Sequence, residues 1–217
     1  MSASLTVDDL KRVYKEKRSE IRARLAEFAD IGLAAGDDRL FEELVFCIFT
    51  AAASARMGLR SVEQIRPRLM TGTRRQLQTA LRHAHRWPRA RGQLVYDTRE
   101  YLIGHCGLRL RELLSAMQDP FERRDFFAAN PGVRGLGYKE ASHFLRNIGF
   151  KGYAILDKHV LGRLAELGVL ESQKPPSTRK RYLAAEASMK EFAREVGIDF
   201  DELDLLLWYT KTGEILK

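Results

Sequence analysis

The sequence predicts an all-α fold. Apolar residues recur at the three-to-four spacing of a helix along most of the 217 residues, and the two-residue alternation of a strand is nearly absent. The punctuation between periodic stretches is that of helix caps and of helix-stopping Pro and Gly.

Taken in order, Thr6 with Asp9 forms a capping-box variant that opens a long amphipathic helix ending near Asp30. "LFEELVFCIFTAAASA" is hydrophobic on nearly every side, so residues 40–55 read as one core helix. Shorter helices are expected near Val62–Met70, Thr73–His83, Pro88–Ile103 and Leu108–Met117, and "DPFERRDFFAANPG" supplies another before Gly135. A helix from Tyr138 to about Ile148 follows a Gly-Leu-Gly turn, and Asp157 stands where it would cap the helix in "KHVLGRLAEL". In "ESQKPPSTRKR", Pro175 and Pro176 stop one helix and Ser177 or Thr178 caps the next. "DELDLLLWYTK" is the last helix, and Gly213 releases a short tail. Internal repeats and low-complexity tracts are absent. The first helix and the last two are amphipathic and need a partner surface. Residues 1–37 and 151–217 are therefore expected to form one helical lobe from both chain ends. A middle lobe, 38–150, carries the Gly135 turn, giving two helical lobes with a helix-hairpin-helix motif at the cleft.

Composition narrows the function classes. No apolar run reaches the roughly 18 residues needed to span a bilayer, and the first twenty residues lack the apolar stretch of a secretory signal. A cytoplasmic protein with no membrane partner is expected. Cys47 and Cys106 are the only cysteines, too few for a disulfide framework or a four-thiolate iron–sulfur cluster, and their spacing suggests no zinc site. No metal and no cofactor is expected. The formal charge is +8, and its distribution is uneven. Between Gln64 and Tyr96 there is no Asp or Glu, whereas Arg66, Arg68, Arg74, Arg75, Arg82, Arg86, Arg89 and Arg91 all fall there. A solvated face normally mixes signs, so a one-sign arginine block points to phosphate contact. The planar guanidinium fork suits that geometry.

The stretch "GLGYKEASHFLRNIGFKGYAILDKHV" then asks for chemistry. Gly135 and Gly137 allow positive φ and close backbone approach, so the turn can point N–H groups at a DNA phosphate, the signature of a helix-hairpin-helix. Two glycines between helices also make an ordinary tight turn. Lys139 sits in the first turn of a helix, where a cation is disfavoured by roughly 0.3–1 kcal/mol. Asp157 follows eighteen residues later. A helix of roughly 15 Å and a return of up to about 27 Å permit an amine–carboxylate pair. An amine must lose its proton to attack, and a helix N-terminus and burial both favour the neutral form. Lys139 could then attack a nucleotide's C1′, expel the base and hold the sugar as a Schiff base. Asp157 would stabilise the cationic sugar while also capping its own helix.

"GLGYKEASHFLRN" followed by "AILDKHVL" closely resembles the helix-hairpin-helix DNA glycosylases, and within them the type-two 8-oxoguanine DNA glycosylase/AP lyase family of archaea and some bacteria. "ELVFCIFTAAASA" resembles that family's second helix, and Lys217 matches its habit of ending in lysine. The resemblance implies that Lys139 is the nucleophile, Asp157 the catalytic carboxylate and His159 a phosphate or active-site contact; His159 also reads as an ordinary surface residue. Arg86 and Trp87, in "HRWPRAR", resemble the pair used as a wedge beside the estranged cytosine, although Trp87 also reads as core. Trp208 resembles the base-stacking tryptophan, with a purely structural role as the other reading. Lys217 would reach the damaged-base pocket, the other reading being a frayed end. Thr50, Ala51 and Ala52 stand where the family reads Thr-Ala-Asn, so an amide that could contact DNA is missing. The implied protein is a monomeric base-excision repair enzyme, associated with the nucleoid, acting on double-stranded DNA that contains 8-oxoguanine or an abasic site. Two other readings stay open: a glycosylase of the same fold for another damaged base, and a non-catalytic helix-hairpin-helix DNA-binding protein in which Lys139 merely contacts phosphate.

Overall fold

A computed structural model of the chain describes residues 5–216, and among these residues every regular element is a helix. The elements are α1 (Val7–Ala34), α2 (Asp37–Thr50), α3 (Ala55–Ile65), α4 (Arg74–Ala80), α5 (Pro88–Cys106), α6 (Leu110–Ala116), α7 (Pro120–Ala129), α8 (Tyr138–Asn147), α9 (Lys158–Glu166), α10 (Arg179–Val196) and α11 (Phe200–Thr212). A single 3₁₀ turn, Arg66–Arg68, follows α3. No helix among the described residues is long and apolar enough to cross a membrane.

The chain divides into two compact units: residues up to Ala29 together with those from Gly149 onward, and Asp30–Ile148. The second unit is organised around α2, whose residues from Leu40 to Thr50 are all buried, as a helix with apolar residues on nearly every side requires. It packs against α3, α5, α6 and α8. Its buried carboxylate Glu43 is satisfied by Arg39 at 2.6 Å and by Asn147 Nδ2 at 3.3 Å, so charge is not stranded in the core. Helices α7 and α8 pack through Phe127 and Phe144, edge to face at 4.9 Å; both rings are fully buried, each contributing about 1.5–3 kcal/mol.

In the first unit, α1 buries Leu10, Ile21 and Phe28. Glu202 of α11 accepts from Tyr14 at 2.5 Å and from Arg22 at 2.7 Å. The capping box at Thr6 is formed reciprocally, with Asp9 N–H donating to Thr6 Oγ1 at 3.1 Å and Thr6 N–H to Asp9 Oδ2 at 3.4 Å.

Several boundaries differ from the sequence reading. Helix α1 continues four residues beyond Asp30, to Ala34. The expected single helix over 40–55 stops at Thr50, where the Thr50 hydroxyl bonds back to the Cys47 carbonyl at 3.2 Å. Ala52 then takes φ +57°, and Ser54 caps a new helix through the Met57 N–H at 3.2 Å. That new helix, α3, begins at Ala55 rather than near Val62 and ends before Pro67. Finally, α9 ends at Glu166 with Gly168 at φ +74°, not at the prolines further on; a glycine in the left-handed region is the commoner helix stop. Thr178 caps α10, accepting from the Arg181 N–H.

Candidate functional site

The hairpin between α7 and α8 is fastened to α5. Asn130 accepts the Gly132 N–H at 2.9 Å and donates to the Tyr101 hydroxyl at 2.8 Å. Thr98 accepts the Arg134 N–H at 2.9 Å and donates to its carbonyl at 3.2 Å. Gly135 adopts φ +88°, and a Cβ there would lie 2.9 Å from Leu94 Cδ1 and 3.3 Å from Ile48 Cγ2. Its lack of a side chain is therefore needed twice, for the backbone and for the packing. Gly137 is extended, φ −109°, as the N-cap of α8, so only one of the two glycines takes the left-handed conformation. Its N–H is engaged rather than bare, donating to Glu140 Oε2 at 3.2 Å.

Lys139 lies in the first turn of α8, and its Nζ pairs with Glu140 Oε1 at 2.9 Å. Their side chains are 24% and 13% exposed. A cation at a helix N-terminus is thus matched by a carboxylate, the charge that position favours.

Asp157 is the N-cap of α9, with Oδ1 accepting the N–H groups of both His159 and Val160 at 2.8 Å. The chain before it, Gly152–Leu156, is a strap outside any helix, buried from Tyr153 onward, and its N–H groups find partners on α10 and α11. Gly152 donates to Asp201 and Ile155 to Asp204, each at 2.9 Å. Ala154 donates to Glu186, also at 2.9 Å. The Tyr182 hydroxyl donates to the Ala154 carbonyl at 2.6 Å. Buried amides without such partners would each cost about 1–3 kcal/mol. His159 is half-buried in the first turn of α9, and Trp208 is half-buried on α11. The tail folds back far enough to bury Ile215, 6% exposed. Lys217 lies outside the described residues.

Trp87 is exposed rather than packed in the core, at 40%, with the Arg86 guanidinium 3.7 Å above its ring. The loop that carries the pair is tied to the turn after α2: Arg86 donates to the Ala52 carbonyl and Arg91 to that of Ala51. Between them lies His85, buried, whose Nε2–H donates to the Phe49 carbonyl at 3.1 Å. Its Nδ1 accepts the Trp87 N–H at 3.0 Å. Those two bonds require the neutral imidazole, and burial pushes the His85 pKa down in the same sense. The other arginines of the acid-free block, Arg66, Arg68, Arg74, Arg75, Arg82 and Arg89, are exposed; Arg66 is committed to Glu42 at 2.7 Å.

Sequence reading missed Glu140, His85 and Arg91 as parts of these constellations. For Glu140 a signal existed, since an acid three residues past an N-cap glycine follows the capping-box spacing. The bonds of His85 and Arg91 to residues some forty positions earlier leave no local trace. Among the described residues no cluster of three or more His, Cys, Asp or Glu could hold a metal ion.

The chain is similar to known proteins over nearly its whole length. The family model described as 8-oxoguanine DNA glycosylase matches residues 21–198. An 8-oxoguanine DNA glycosylase/AP lyase of Korarchaeum cryptofilum is 40% identical over 213 residues, covering 97% of each chain. The solved Methanocaldococcus jannaschii 8-oxoguanine glycosylase/lyase, in complex with a 15mer DNA containing 8-oxoguanine, superposes with a TM-score of 0.88. It is 30% identical, over 97% of this chain and 99% of that one. The 8-oxoguanine DNA glycosylase of Thermotoga maritima gives a TM-score of 0.87 at 34% identity, over 97% and 98%.

Proposed function

Because the chain belongs to the 8-oxoguanine DNA glycosylase family, we propose that it excises 8-oxoguanine from duplex DNA and then cleaves the resulting abasic strand. It is an enzyme of base excision repair, a DNA glycosylase and AP lyase, working on the nucleoid in the cytoplasm. The observation that carries this reading is the placement of Lys139. A partly exposed primary amine stands immediately after a hairpin hydrogen-bonded to α5, held by a carboxylate, in a chain with an extensive arginine surface.

In this mechanism the Lys139 amine, once neutral, attacks C1′, and the N-glycosidic bond breaks with its electron pair leaving on the base, which takes up a proton. The nitrogen now bonded to C1′ gives up one proton and O4′ takes one as the C1′–O4′ bond breaks, which opens the sugar ring and leaves a protonated Schiff base. Removal of a C2′ proton then expels the 3′ phosphate, which is the lyase step. Asp157 stabilises the positive charge that develops on the sugar, a role for a fixed carboxylate in a water-poor site. Gly135 and Gly137 bring the hairpin backbone to a phosphate, and His159 makes a second contact there or at the sugar. Extrusion of the base costs a few kcal/mol, offset by filling the gap and stacking the flipped ring. Arg86 and Trp87 fill the gap; exposure of the indole and its guanidinium cover suit an intercalating wedge. Trp208 stacks on the base and Lys217 reads it. Of these groups, Lys139, Arg86 and Trp87 belong to the middle lobe expected over 38–150, and Asp157, His159, Trp208 and Lys217 to the lobe expected from both chain ends.

The test is a duplex with one 8-oxoguanine, incubated with enzyme and borohydride. A covalent enzyme–DNA adduct supports both substrate and Schiff-base chemistry. An adduct formed only with a different damaged base would assign another specificity. Binding without any adduct, even on a preformed abasic site, would return the protein to a non-catalytic DNA-binding role.

A further inference from the structure

Glu140 makes two contacts with one carboxylate. Its Oε2 accepts the Gly137 N–H at 3.2 Å and its Oε1 holds Lys139 Nζ at 2.9 Å. Neighbouring residues on a helix do not face each other, so the pair is not a by-product of helical periodicity; the lysine stem has to fold across the first turn to make it. At 13% exposure for the Glu140 side chain, solvent and salt screen the pair less than they would a surface contact. A second cation, Arg91 of α5, lies within electrostatic reach of the same carboxylate, and it is itself fastened to the Ala51 carbonyl. The carboxylate is therefore fixed from the hairpin side and keeps one oxygen for the amine.

We propose that Glu140 is a positioning residue for the nucleophile, anchored by the hairpin amide of Gly137 and restricting where the Lys139 amine stands before a nucleotide arrives. This rests on Lys139 being the nucleophile. A lysine side chain carries about 2 kcal/mol of rotamer entropy, and an attacking atom has to stand about 3–3.5 Å from its target in line with the bond that breaks. Restricting the amine beforehand removes part of that ordering from the reaction itself.

Glu140→Gln separates this role from capping. A glutamine still offers an oxygen to the Gly137 N–H, since the capping box accepts either residue, but it loses the charge that holds the ammonium. Glu140→Asp keeps the charge on a shorter arm. Single-turnover borohydride trapping on an 8-oxoguanine duplex is measured for both, beside the wild type and Lys139→Gln. Melting temperature and affinity for a duplex with a tetrahydrofuran abasic analogue are measured on the same proteins. The Gln variant should bind and melt like the wild type while its trapping rate falls by roughly 10- to 100-fold, the scale of a misplaced reacting group. The Asp variant should recover part of that loss. Unchanged trapping in Glu140→Gln overturns the inference, as does a loss matched by equal losses of affinity and melting temperature. No adduct from the wild type would remove the nucleophile reading itself, whereas equal adduct from wild type and Gln variant removes only the role of Glu140.

Discussion

Asp157 caps α9 and, in the proposed mechanism, also stabilises charge on the sugar; a pair of substitutions should pull the two roles apart. Its Oδ1 accepts two backbone N–H groups at the start of α9, both at 2.8 Å. Asp157→Asn would keep that oxygen, because asparagine caps as well as aspartate, and would lose only the favourable charge at the helix N-terminus, about 0.3–1 kcal/mol. Asp157→Ala also removes the cap, for a total of roughly 1–2 kcal/mol. For a chain of this size 1 kcal/mol corresponds to about 2–4 °C. Asp157→Asn should therefore melt within about 4 °C of the wild type, and Asp157→Ala should melt a few degrees lower still. Catalysis follows the opposite logic, since both variants lack the charge. Single-turnover release of 8-oxoguanine should slow by on the order of 10²-fold or more in each, the scale of one preorganised electrostatic group. Binding to an abasic analogue should persist in Asp157→Asn. Thermal melting and base release on the same preparations provide the assay. Base release by Asp157→Asn within about threefold of wild type, or losses of activity that simply track losses of stability across the two variants, would refute the electrostatic role.

Other outcomes follow from the same geometry. Lys139→Gln should abolish base release and trapping yet still bind damaged duplex in a mobility-shift assay; retained lyase activity would place the nucleophile elsewhere. Ala52 holds φ +57°, a conformation that strains alanine by roughly 1–2 kcal/mol and suits asparagine better. Ala52→Asn should thus raise the melting temperature by about 1–4 °C, and a fall would show that the turn is not strained. The buried His85 has its pKa lowered from 6.5, so the unfolded chain binds its proton first as pH falls. Stability tied to His85 is complete above about pH 7 and declines as pH drops through 6.5; melting curves of His85→Asn should show less of that decline than the wild type. Deleting Lys217 should lower excision of 8-oxoguanine far more than cleavage of a preformed abasic site, which needs the amine but no base recognition. Equal loss on both substrates would indicate a damaged fold instead.

The helical class was legible because it rests on local signals. Thr6 with Asp9, Asp157 and Thr178 all act as the caps their residue types suggest. Where the reading failed, tertiary bonds override propensity. Alanine is the best helix former, so the run after Thr50 reads as helix. The break there is fixed by guanidinium groups of Arg86 and Arg91, arriving from 34 and 40 residues away. Lys139 stood out because a cation in the first turn is locally unfavourable. Its compensation by Glu140 did not, because two adjacent residues on a helix give no pattern that predicts contact. The strap before Asp157 was invisible for a related reason: its N–H groups are satisfied by carboxylates 32 to 49 positions later.

The most direct measurement is the identity of the residue that carries the sugar. An 8-oxoguanine duplex is treated with enzyme and borohydride, the adduct is digested with nuclease and protease, and the modified peptide is sequenced by mass spectrometry. The added mass should fall on Lys139, and the Lys139→Gln protein should yield no modified peptide. A sugar remnant on any other lysine, or a modified peptide from Lys139→Gln, would contradict the assignment of this amine as the nucleophile.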